Sequence, residues 1–174
     1  MQFEFRFLDY LQTLRNPYLD KIMVSITRLG DLGAVWIILI LALVLYQKTR
    51  RVGMIASVAL AMDLIICNVI MKNLFHRIRP FDINQAIILL IKRPADFSFP
   101  SGHTAASFSV AFAVWFAGKK KMAVAMFVLA ALIAFSRMYL YVHYPTDILG
   151  GIAIGVITGA IANQIAKKRF NREE

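Results

Sequence analysis

The stretch whose reading decides the fold runs from residue 118 to residue 170: GKKKMAVAMFVLAALIAFSRMYLYVHYPTDILGGIAIGVITGAIANQIAKKRF. It opens on a basic cluster, passes through an apolar segment, and crosses a polar hinge containing Arg137, His143 and Asp147. It then returns through a second apolar segment to a second basic cluster. This is the pattern of two membrane spans whose cytoplasmic ends are marked by Lys and Arg.

The rest of the chain repeats the pattern. It is 59% hydrophobic, and its mean hydropathy of +0.63 is too apolar for an ordinary soluble domain. Its 174 residues suffice for one membrane-embedded domain, 1–174. The net charge of +10 raises the question of nucleic acid, and the placement of the charges answers it. QKTRR (47–51), GKKK (118–121) and KKRFNREE (167–174) each close an apolar segment, whereas a nucleic-acid surface interleaves its cations along one helix face. Cys67 is the only cysteine, so no internal disulfide forms. The start, MQFEFRFLDYL, lacks the pattern of a signal peptide.

Five apolar segments are predicted to span: 32–46, 52–74, 101–117, 122–141 and 146–166. Several fall short of the ~20 residues that cross a hydrocarbon core, so neighbouring polar residues are expected inside the bundle. Asp63 and Asn68, within the second span, are expected to face the interior or a wet cavity. Residues 1–15 fit an interfacial helix and 18–29 carry a helical apolar stripe ending at GDLG. This region either lies along the surface or supplies a sixth span. The apolar patch INQAIILLI, inside the connection 75–100, is expected to be a short interfacial or partly buried helix. Gly151, Gly155 and Gly159 form a small-residue face for close helix packing. The expected architecture is therefore an all-α, polytopic transmembrane bundle with interfacial helices.

With the basic loops placed inside, the remaining chemistry gathers on the outer or periplasmic side. Lys72 and Arg79-Pro80 end the second span, Pro100-Ser101-Gly102-His103 opens the third, and Ser136-Arg137, His143 and Asp147 bridge the fourth and fifth. Arg79 and Arg137 offer planar forks, and Lys72 a point charge, to a phosphoryl group. The backbone N–H groups of Ser101 and Gly102 would face an anion at a helix start. Asp147, four residues after His143, is placed to take its Nδ1 proton and free Nε2 as a nucleophile. His103 is placed to protonate the leaving oxygen. No metal cofactor is implied, because no carboxylate cluster exists to hold one.

KNLFHRIRP, PSGH and SRMYLYVHYPTD resemble the three signature motifs of the type 2 phosphatidic acid phosphatase superfamily, the membrane lipid phosphate phosphatases. The resemblance implies a helical membrane bundle with His143 as nucleophile, Asp147 as its orienter and His103 as general acid. It implies phosphate binding by Lys72, Arg79, Ser101, Gly102 and Arg137, and a phosphohistidine intermediate. Vanadium haloperoxidases share the motifs but are soluble and much longer. The substrates implied are undecaprenyl diphosphate, phosphatidylglycerol phosphate, phosphatidic acid or lipid A 1-phosphate. The short chain is similar to small bacterial members, which points to undecaprenyl diphosphate in the plasma membrane. A phosphotransferase and a non-catalytic lipid-phosphate binding or transport protein are the alternatives.

Overall fold

The structure, a computed structural model, describes residues 2–170 and side chains as far as Arg169. Among these residues all regular structure is helical. The N-terminal helices are α1 (Gln2–Thr13), α2 (Pro17–Leu29) and α3 (Ala34–Leu45). Next, α4 (Arg50–Asp63) runs on through a π-helical stretch (Leu64–Met71) into α5 (Lys72–Phe75), followed by the single turn α6 (Pro80–Ile83). The last three are α7 (Gly102–Phe116), α8 (Lys120–Tyr139) and α9 (Pro145–Phe170). The final four residues of the basic segment 167–174 lie outside the described residues.

Each predicted span contains a helix. Gln47–Ile83, Lys120–Tyr139 and Pro145–Arg169 are long and apolar enough to cross a membrane; α2 and α3 qualify together as a pair bent by 47°. The described residues 2–29 form α1 and α2, and α2 with the segment 31–45 makes a broken span or a re-entrant loop. The start of α2 is fixed locally: Pro17 sits at the first turn, and the Asn16 side chain accepts from the Leu19 N–H at 3.0 Å.

The connection 84–101 corrects one expectation. The apolar patch at 83–91 is not a helix beyond Ile83. Asn84 ends α6, and its side-chain Oδ1 accepts from the Ala86 N–H at 3.3 Å, turning the chain. Ile87, Leu89, Leu90 and Ile91 then pack as an irregular strap on a cluster containing Tyr139, Tyr141 and Tyr144. Burial against tyrosines, not helical periodicity, organises this apolar run.

The hub of the bundle is α7, which packs on α4, α8 and α9. Its contact with α9 depends on the small-residue face. A Cβ on Gly155 would come within 2.7 Å of Phe108 Cβ, and one on Gly159 within 2.8 Å of Ala113 N. Two buried polar pairs lie along this core: Trp36 Nε1 donates to Ser107 Oγ at 2.9 Å, and Thr158 Oγ1 to Ser109 Oγ at 2.9 Å. Exposed apolar side chains such as Leu41, Val128, Leu132, Ile157 and Ile161 line the outside, the surface that a bilayer solvates. The outcome that matters for chemistry is geometric. The end of the α4–α5 run and the starts of α7 and α9 meet the end of α8, while the basic clusters sit at the opposite helix ends.

Candidate active site

His143 lies in the short turn between α8 and α9, where Tyr141 adopts φ 60°. The ring is almost fully buried. Its Nδ1 faces Asp147 Oδ2 at 3.4 Å and its Nε2 faces Arg79 Nη1 at 3.2 Å. A guanidinium can only donate, so Nε2 must present its lone pair and Nδ1 carries the proton toward Asp147. Burial first, then the charges of Arg79, Arg137, Lys72 and the nearby His103, hold His143 well below the ordinary imidazole value. The ring is therefore neutral, as a nucleophile requires.

Asp147 is fixed by more than His143. Placed in the first turn of α9, it accepts the Tyr144 N–H at 2.9 Å as a helix cap does, and the Ser98 hydroxyl at 2.5 Å. Arg77 Nη1 donates to its other oxygen at 2.6 Å, and Arg77 Nη2 donates to Glu4 at 2.9 Å. One side chain thus both closes the first turn of α9 and faces the His143 ring.

Arg79 is buried at the start of α6. Its Nη1 also donates to the Val142 carbonyl at 2.7 Å, which ties the guanidinium to the His143 turn. Its Nε donates to the Asp96 carbonyl at 2.8 Å and its Nη2 to the Asp96 carboxylate at 2.6 Å. The second oxygen of that carboxylate pairs with Lys72. Asp96 thus bridges two of the expected phosphate-binding cations. Burial alone would raise its carboxyl, but hydrogen bonds and charge from Lys72 and Arg79 prevail and hold it well below the usual carboxylate range.

Arg137, at the end of α8, is buried with Nη1 donating to Thr27 Oγ1 at 2.6 Å. Its Nε has no acceptor among the described residues. Such an orphaned charged donor suits an anion. Gly102 lies against Lys72, since a Cβ there would stand 3.6 Å from the Lys72 Nζ and 3.1 Å from Asn68 Oδ1. Asn68 is exposed at this edge, whereas Asp63 is fully buried with neither carboxylate oxygen bonded among the described residues.

Ser101 departs from expectation in one respect: its N–H donates to the Asp147 carbonyl at 3.1 Å, so it is committed to holding α7 and α9 together. Its buried hydroxyl accepts from Thr104 Oγ1 at 3.0 Å. The first bond within α7 runs from the Ala105 N–H to the Ser101 carbonyl, leaving the amides of Gly102, His103 and Thr104 at the helix head. His103 follows at once, with Nε2 3.0 Å from Asp31 Oδ1.

The structure therefore brings together Lys72, Arg79, Ser101, Gly102, His103, Arg137, His143 and Asp147. It adds Thr27, Asp31, Arg77, Ser98 and Asp96, none assigned a role from sequence. Arg77 had a visible signal, lying inside the first motif's spacer; the others come from turns or helix ends with no motif to mark them.

The sequence profile of the PAP2 superfamily matches residues 52–171, most of the chain and all three motifs. The chain belongs to the PAP2 superfamily. Among PAP2 relatives, it is 27% identical over 161 residues to an undecaprenyl-diphosphatase of Sulfolobus acidocaldarius, covering 92% of this chain and 76% of that protein. Two crystal structures share its fold. Aquifex aeolicus LpxE superposes with a TM-score of 0.80 at 28% identity, over 93% of this chain and 95% of that one. A transmembrane phosphatidylglycerolphosphate phosphatase from Bacillus subtilis gives 0.73 at 28% identity, over 92% and 83%. Like that PAP2 protein, the chain is a multi-pass membrane protein, with the candidate spans described above.

Proposed function

We propose that this protein is a membrane phosphohydrolase that releases phosphate from lipid phosphates or diphosphates, with undecaprenyl diphosphate as substrate. We place its single catalytic domain in the plasma membrane with the active site on the outer or periplasmic side. The observation that carries the reading is the His143 ring, held at Nδ1 by Asp147 and facing Arg79 with its Nε2 lone pair.

The reaction follows from that geometry. Arg79, Arg137, Lys72 and the head of α7 gather the phosphoryl oxygens, and the Ser101 hydroxyl donates among them. As Arg79 turns from Nε2 to a phosphoryl oxygen, Nε2 attacks phosphorus. The bond from that phosphorus to the bridging oxygen breaks, and His103 supplies the proton the departing oxygen takes, whether it leaves as a lipid phosphate from a diphosphate or as an alkoxide from a monophosphate. The phosphohistidine is then attacked by water, which loses a proton to His103, and the P–N bond breaks to return neutral His143 and inorganic phosphate. Asp147 accepts the Nδ1–H throughout and stabilises the positive charge of the phosphorylated ring. The basic loops at the opposite helix ends support the orientation. The relatives' names support the lipid phosphate class, and the undecaprenyl-diphosphatase of Sulfolobus acidocaldarius supports undecaprenyl diphosphate within it.

The test is phosphate release by purified protein from a panel of lipid phosphates, in EDTA, compared by kcat/KM. The reading expects metal-independent turnover, highest for undecaprenyl diphosphate and abolished in His143→Gln. Release by His143→Gln at the native rate would refute it. Delivery of the phosphoryl group to an added lipid alcohol in preference to water would establish a transferase instead.

A further inference from the structure

The contact between Asp31 and His103 reaches beyond the three motifs. Asp31 lies 72 residues upstream of His103, in the turn between α2 and α3 and outside the matched residues 52–171. Three features of that turn serve the contact. Gly30 lies so close to the imidazole that a Cβ there would stand 2.7 Å from His103 Cδ2. Leu32 and Gly33 follow with φ of 53° and 69°, a left-handed pair that includes a non-glycine, almost fully exposed residue. The helix before the turn is fastened to the same site, because Thr27 accepts the buried Arg137 guanidinium at 2.6 Å. The turn is therefore anchored against the catalytic face with a strained backbone, and the side chain it delivers is a carboxylate.

We propose that Asp31 is the positioning residue of the general acid: it holds His103 through Nε2, so that Nδ1 delivers the proton to the leaving oxygen. This role rests on the phosphohydrolase reading above. The two ring nitrogens are distinct, so engagement of Nε2 leaves Nδ1, the nitrogen nearer the residue's own backbone, for the substrate. The ion pair with Asp31 places a carboxylate on the ring, the counter-charge that a protonated imidazole needs. In the first step Nδ1–H passes to the lipid oxygen as the P–O bond breaks, and the ring becomes neutral with Nε2–H still donated to Asp31. In the second step Nδ1 takes a proton from the attacking water, and Asp31 stabilises the restored imidazolium. The site thus has two imidazole–carboxylate pairs of opposite sense: Asp147 on Nδ1 of the nucleophile, Asp31 on Nε2 of the acid.

The experiment compares Asp31→Asn, Asp31→Glu and wild type on two substrates: a lipid alkyl phosphate, whose alkoxide leaving group needs a proton, and p-nitrophenyl phosphate, whose leaving group does not. Asp31→Asn is expected to lower kcat/KM for the alkyl phosphate at least about tenfold, part of the ~10²–10⁴ that general acid catalysis contributes. Its kcat/KM on the aryl phosphate, which reports transfer to His143 and not the later water attack, changes less than about threefold, and Asp31→Glu recovers most of the alkyl activity. The aryl substrate also reports whether each variant is folded. Equal losses on both substrates, or no loss on either, would overturn the role of Asp31 while leaving the phosphohydrolase reading intact. Absence of hydrolysis of both by wild type would instead defeat that reading.

Discussion

Asp96 occupies the cations that a phosphoryl group must use, which makes its replacement a sharp test of the cradle. One carboxylate oxygen sits 2.6 Å from Arg79 Nη2 and the other pairs with Lys72. Any phosphate that binds Lys72 and Arg79 must displace both contacts. A charge-assisted hydrogen bond contributes about 1.5–3 kcal/mol when well sheltered. The Asp96 side chain is 51% exposed, so solvent screening brings the pair down to about 1 kcal/mol in total. Asp96→Asn keeps the backbone carbonyl that accepts from Arg79 Nε and removes the competing charge. With tenfold in affinity corresponding to about 1.4 kcal/mol, the variant should bind vanadate or inorganic phosphate about fivefold more tightly. The assay is titration calorimetry with vanadate, or its inhibition constant against an aryl phosphate, at low and matched ionic strength. Lys72 and Arg79 hold the carboxyl well below its usual range against the effect of burial, so it stays charged at working pH and mild acid does not mimic the mutation. Weaker vanadate binding by Asp96→Asn would mean that Asp96 organises the cations for phosphate instead of competing with it, and would refute the reasoning.

Other consequences follow from single contacts. Arg77→Ala removes the link between Glu4 and Asp147; kcat should fall roughly tenfold with KM little changed, as when an outer partner of a catalytic ligand is lost, and steady-state kinetics on an aryl phosphate checks this. Gly155→Leu forces a side chain into the backbone of α7 and should lower the thermal midpoint in detergent by an amount equivalent to about 1–3 kcal/mol, with Gly118→Ala, where no atom stands within 4 Å of the added Cβ, as a strain-only control. Because burial and the surrounding cations depress His143, the ascending limb of kcat/KM against pH should lie below the ordinary histidine range near 6.5. The sign follows from the nucleophile being the neutral form: His143 contributes a loss of activity as pH falls through the depressed value. A limb at or above the ordinary value, in a pH series on wild type, would contradict the burial and charge argument.

What could be read from sequence was what a helix end carries. Lys72, Ser101, Gly102, Arg137 and Asp147 sit within a turn of a helix terminus, and the basic clusters sit at the other termini. Apolar periodicity and charge placement therefore located the motifs and their common face together. Asp31, Asp96 and Thr27 were illegible for a different reason. Each meets its partner through chain bends whose angles no local pattern states: the 47° break between α2 and α3 for Thr27 and Asp31, and the strap 84–101 for Asp96. The strap itself was misread because Ile87, Leu89, Leu90 and Ile91 have the apolarity of a short helix. Their burial partner, the tyrosine cluster, is assembled from α8 and the turn after it. The commitment of the Ser101 N–H to Asp147 was hidden likewise, since it depends on α9 docking closely against α7 at Gly151, where a Cβ would lie 2.9 Å from the Ser101 carbonyl.

The central claim is that His143 Nε2 carries the phosphoryl group between lipid and water. It is tested most directly by rapid acidless quenching of the purified enzyme during turnover of an aryl phosphate, followed by peptide mapping under alkaline conditions that preserve phosphohistidine. The account predicts one phosphoryl group, on His143, which accumulates further in His103→Ala, where water attack is slowed. A phosphoryl group mapped to any other residue, or repeated turnover in both proteins with His143 never phosphorylated, would contradict it.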